Sequence, residues 1–162
     1  MRAALAALLC LLAGAVQAQG ATYEARSLTP EAAQKAASAA LASCRNAGFQ
    51  VTVAVVDRAA LPLAVLRDRH AGPHSFQTAL DKAWTAVSFK METTAFEQVT
   101  RSTPAMAGIR TLARVAPIGG GIPIASAGSL VGAIGVSGAP GGDADDRCAK
   151  AGIAAIAADL DF

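Results

Sequence analysis

The chain has 162 residues, of which 16% are charged, with a formal net charge of +2 and only one Trp, one Tyr and five Phe. A surface so near neutrality and so poor in aromatics lacks the electrostatic footprint and the stacking platforms that nucleic-acid binding needs, and it has no basic belt for an anionic membrane. The length suits one domain with a real core, but the abundance of Ala makes that core modest for a single subunit and points towards oligomers.

The first residues, "MRAALAALLCLLAGAVQAQG", place Arg2 before an apolar run from Ala3 to Ala15. That is the pattern of a signal peptide, too short to span a bilayer, with Val16–Gln17–Ala18 as the cleavage signal. The residues before Cys10 lack the small side chains of a lipoprotein site. The expectation is a soluble periplasmic or secreted protein in which residues 1–18 are removed and residues 19–162 form a single domain. No later charge-free apolar run is long enough for a transmembrane helix, so no membrane insertion is expected after cleavage.

Residues 19–27 read as a leader or an edge strand. "SLTPEAAQKAASAALASCRNAGF" reads as a helix with Thr29 as N-cap, Pro30 at its first position and Glu31 at the positive end of the dipole. Gly48 is the expected left-handed stop. "FQVTVAVVD", Phe49 to Asp57, is a buried strand by its β-branched run, and a short turn leads to a second strand in "LAVLRD". A helix begins near Pro73, with Ala79, Lys82, Ala83, Ala86 and Val87 at helical spacing. A break near Met91–Thr93 precedes a short helix, and a further helical turn follows Pro104. One more strand is expected near Ala113–Ile118. "GIPIAS" and "LVGAIGVSG" form two strands around a turn at Ala127–Gly128–Ser129, and "DRCAKAGIAAIAADL" is the closing helix. Hairpins separated by helices argue for an α+β fold with an antiparallel sheet.

Four sets of residues stand out for their chemistry. Cys44 and Cys148 sit on predicted helices near the two ends of the chain; in an oxidising compartment they are candidates for a disulfide, the alternative being two buried thiols. Gly119, Gly120 and Gly121 offer consecutive backbone N–H groups to an anion or carboxylate, with Ser126 and Ser137 nearby. This is not a P-loop, since a strand rather than a helix follows, and the glycine after Ser137 is misplaced for a nucleophile elbow. Asp143, Asp145 and Asp146 read as acids at a helix start. His70 and His74, the only two histidines, stand on either side of one Ala-Gly-Pro turn in "LRDRHAGPHSFQ". An imidazole is a good metal ligand when its second nitrogen is held, and Asp68 and Asp57 are the candidate orienters. A zinc site made of these histidines alone lacks its further ligands.

The ordered set "VTVAVVD", "ALDKAWTAVSF", "GGGIPI", "LVGAIGVSG" and "DRCAKAGIAA" resembles the haem-degrading GlcG/HbpS-like domain family over about residues 29–159. The resemblance implies a profilin-like α+β sandwich: an antiparallel sheet of about five strands flanked by helices. It also implies homo-oligomers, from dimers to octamers, and haem as cofactor, with some secreted members degrading haem or sensing redox stress with a membrane partner. A threonine used by a haem-binding relative falls near Val115, which cannot ligate iron; Thr111 is the nearest threonine. Other relatives bind haem through a histidine. That makes His74 the favoured axial and metal ligand and His70 the second, with Arg69 and Arg67 for the propionates and Phe76, Trp84 and Phe89 as an apolar floor.

The reading is an exported haem-binding protein, with slow oxidative haem degradation as its further activity and no catalytic residue assigned. The alternative is a non-enzymatic oligomeric module that binds a small carboxylate or a partner protein at Gly119–Gly121.

Overall fold

The computed structural model describes residues 20–160; the expected signal peptide lies outside them. Helix α1 spans Pro30–Asn46. The Thr29 side chain accepts the Ala32 amide at 3.2 Å, and the chain turns away through Gly48 at φ +83°. These are the two caps the sequence offered. Strands β1 (Thr52–Asp57) and β2 (Pro62–Arg67) form the expected hairpin. Its turn is closed by Asp57, whose Oδ1 accepts the amides of Ala59 and Leu61, each at 2.8 Å. Helix α2 (Pro73–Phe89) ends at Lys90, which takes a left-handed conformation, and α3 follows over Thr93–Ser102. A 3-10 segment (Pro104–Thr111) precedes β3 (Gly121–Ser126) and β4 (Ser129–Ser137). The chain closes with α4 (Gly142–Ala155) and α5 (Ala157–Leu160). No helix among the described residues is long and apolar enough to cross a membrane.

The strands form one antiparallel sheet in the order β2-β1-β4-β3. It is the profilin-like α+β arrangement, with four strands rather than five. The strand expected near 113–118 is irregular: Arg114 is left-handed at φ +69°, and the Ala116 amide is taken by Thr85 Oγ1 at 2.9 Å rather than by a neighbouring strand. Residues 20–27 form no edge strand; they are exposed, and the chain meets the sheet at Leu28, whose amide donates to Val131 O at 3.1 Å. Ala127 (φ +46°) and Gly128 (φ +77°) carry the tight β3–β4 turn, in which both central residues are left-handed as the twist of the strands demands.

Alternation along the strands sorts the two faces. Val53, Val55, Ile134 and Val136 pack with the alanines of α1 and with Cys148 and Ala149 of α4. There Cys44 and Cys148 are joined in a disulfide that ties α1 to α4. On the other face Ala133 meets Ala83 and Ala86 of α2. The approach is so close that a Cβ on Gly135 would fall 2.0 Å from the Ala79 carbonyl oxygen.

Candidate functional site

Lys82 lies on the face of α2 that packs against the sheet, between Ala79, Ala83 and Ala86, and its side chain is 2% exposed. Burying an ammonium requires partners. It finds them at the end of β4 and the start of α4: Nζ donates to Val136 O at 2.9 Å and to Asp145 Oδ2 at 2.8 Å. Asp145, in the first turn of α4, also accepts the Ala139 amide at 3.1 Å. Burial pushes the Asp145 carboxyl above its ordinary value, and the neighbouring Lys82 charge only partly opposes that. Asp143, exposed two residues earlier, is held below its ordinary value by Arg147.

Above this ion pair opens a cavity of about 290 Å³, lined by His74, Thr78, Ser137, Ile118, the ion pair and the 138–142 loop. His74 is the second residue of α2. Its ring lies against Gly72, where an added Cβ would sit 2.7 Å from the imidazole Cε1. The ring makes no hydrogen bond to any described residue. Beneath it, buried Ser75 fixes the helix start through Thr52 Oγ1 at 2.8 Å and Gly72 O at 2.6 Å. A larger hollow of about 640 Å³ lies between the end of α2 and the β3–β4 turn, but its lining of Arg58, Lys90 and small or apolar residues includes no imidazole, thiol or carboxylate.

Among the residues singled out from the sequence for their chemistry, the structure brings His74, Ser137 and Asp145 to the lining of the cavity, and the others do not line it. His70 and Arg69 are exposed in the preceding turn, and Arg67 donates to Ala71 O. Neither proposed orienter holds an imidazole. Asp68 is buried against Arg45 at 2.7 Å, and Asp57 clasps its own turn. The aromatic floor is dispersed: Trp84 packs under Arg114 at 5.2 Å, Phe89 against Phe96 at 4.4 Å, and Phe76 stands 44% exposed. Thr111 is exposed and donates to Gly108 O at 2.8 Å. In the glycine turn, Gly120 donates to Asp146 Oδ1 at 2.6 Å and Gly121 to Thr93 Oγ1 at 2.8 Å. These two amides hold the turn to α3 and α4 and are not free for a ligand; a Cβ on Gly119 would run into Thr94 Oγ1. Ser126 is also engaged, donating to Leu160 O at 2.5 Å.

Lys82 and Asp145 were not singled out as a pair from the sequence. The available signal was a lysine at helical spacing with Ala79, Ala83 and Ala86.

Solved structures similar to this chain include a double mutant of HbpS from Streptomyces reticuli, 39% identical over 86% of this chain and 94% of that one, with a TM-score of 0.78. The ORFY protein of Klebsiella pneumoniae is 26% identical over 87% and 98%, with a TM-score of 0.82. A PduOC–haem complex is 29% identical over 80% and 95%, with a TM-score of 0.76. No match was found among the curated proteins. Residues 28–154 match the family model described as haem degrading protein HbpS-like, and the chain belongs to that family.

Proposed function

We propose that this protein is an exported haem-binding protein whose axial ligand is His74, with slow oxidative haem degradation as its further activity. One observation carries the reading: an imidazole with no hydrogen-bond partner among the described residues stands at the rim of a cavity, beside Ile118, which is 48% exposed. A nitrogen donor next to exposed apolar surface suits a porphyrin. The family match and the haem-bound relative support the same ligand.

At about 290 Å³ the cavity is at the small end for an organic ligand. A porphyrin would therefore be held only in part by this cavity, by His74 and Ile118, and a homo-oligomer is part of the reading. The buried Ser75 contacts fix the start of α2 that carries His74, and Ile118 would offer apolar surface to the bound ring. When bound, haem supplies the oxygen chemistry; the residues bind it, orient it and limit access of water.

Titration of the purified protein with haemin is expected to give a saturating, shifted Soret band. His74→Ala weakens binding at least about tenfold with unchanged circular dichroism, whereas His70→Ala behaves as the parent. Parent-like binding by the double histidine variant overturns the ligand assignment, and the absence of any Soret shift in the parent overturns haem binding.

A further inference from the structure

The floor of the same cavity has a chemistry that the histidine at its rim does not use. Lys82 is 2% exposed and spends two ammonium N–H groups, on Val136 O and Asp145 Oδ2. An ammonium has three, and no described residue accepts the third. Ser137 is 4% exposed and lines the cavity, yet its hydroxyl has no hydrogen-bond partner among the described residues. No buried side-chain nitrogen or oxygen among the described residues lacks a partner, so this hydroxyl is open to the cavity and available to whatever enters it.

The opposite wall is the start of α4. Gly141 and Gly142 line the cavity, and the helix has no side-chain cap. Its positive end is instead faced by the chain's own Asp143 and Asp145 in the first turn. Glycines at 138, 141 and 142 leave backbone as the wall of this end. The one carboxylate at the floor, Asp145, already has both oxygens engaged, by Lys82 and by the Ala139 amide. What remains on offer at the floor is two donors, an ammonium N–H of Lys82 and the Ser137 hydroxyl.

We propose that the floor of this cavity binds a small carboxylate with a second oxygen on the neighbouring carbon, an α-keto or α-hydroxy acid of about two to four carbons. The carboxylate accepts the remaining ammonium N–H of Lys82, and the neighbouring oxygen accepts from Ser137. This site is separate from the Gly119–Gly121 turn, whose Gly120 and Gly121 amides are used within the fold. It also stands apart from the haem reading, because it needs neither iron nor the His74 ring as ligand.

The test is an amide NMR titration of nitrogen-15-labelled protein with pyruvate in the absence of haemin. Saturable shifts are expected for residues around Lys82, Ser137 and the 138–145 segment. Pyruvamide, which keeps the shape and loses the charge, is expected to produce none, and sulfate to bind at least about tenfold more weakly than pyruvate. Ser137→Ala, which leaves the ion pair intact, is expected to weaken pyruvate binding about tenfold, the loss of one hydrogen bond to a charged ligand. The absence of saturable shifts, equal binding of pyruvamide or sulfate, or unaltered affinity in Ser137→Ala overturns the proposal. Failure of the haemin titration leaves this result untouched, and the converse also holds.

Discussion

The two faces of the sheet are built from similarly small residues and end in different chemistry. On the α1/α4 face, valines and isoleucines of the strands interlock with helix alanines, and a disulfide joins the two helices. On the α2 face the helix sits so close at Gly135 that little side-chain volume fits between, and Thr52, Ser75 and Lys82 are buried among alanines. The first face closes on itself. The second closes along most of α2 but gives way, at the end of β4, to an ion pair and a cavity. The binding site lies where apolar packing stops and charge has to be satisfied by geometry.

That contrast can be broken from either side. The largest effect is expected from Lys82→Met, which leaves the Asp145 carboxylate buried without its cation. Urea unfolding should show a loss of about 3–5 kcal/mol, with a large part recovered when Asp145→Asn is added. A stable Lys82→Met protein, or strictly additive variants, would contradict the view that the pair is a buried, coupled unit. A smaller effect is expected on the other face. Replacing both Cys44 and Cys148 by Ser should lower stability by about 2–4 kcal/mol while leaving pyruvate and haemin binding as in the parent. A comparable loss of ligand binding would show that the two faces are not independent.

Much of the fold was legible because its signals are local. Thr29, Pro30 and Gly48 delimit α1 by capping chemistry, Ala127–Gly128 supply the left-handed pair of a tight hairpin, and the β-branched run through Val56 makes a central strand. The strand expected at 113–118 failed because its backbone is fixed by Arg114 and by Thr85, a side chain 31 positions earlier. The site was legible only in part. Scarcity singled out His74, and glycine clustering drew attention to the turn at 119–121. The direction of the turn's amides, however, is set by Thr93 and Asp146, far away in sequence. Asp145 was rightly placed at a helix start, but its partner Lys82 lies 63 residues away. No local pattern marks that pair, apart from a charged residue on a face rich in alanine.

The central functional claim is that the His74 imidazole, free at the rim of the cavity, coordinates haem iron. Electron paramagnetic resonance with hyperfine detection on haemin-loaded protein carrying nitrogen-15 histidine tests this most directly. The account predicts a histidine nitrogen coupled to the iron that disappears in His74→Ala and persists in His70→Ala. A spectrum without histidine coupling, or one that His74→Ala leaves unchanged, would contradict it.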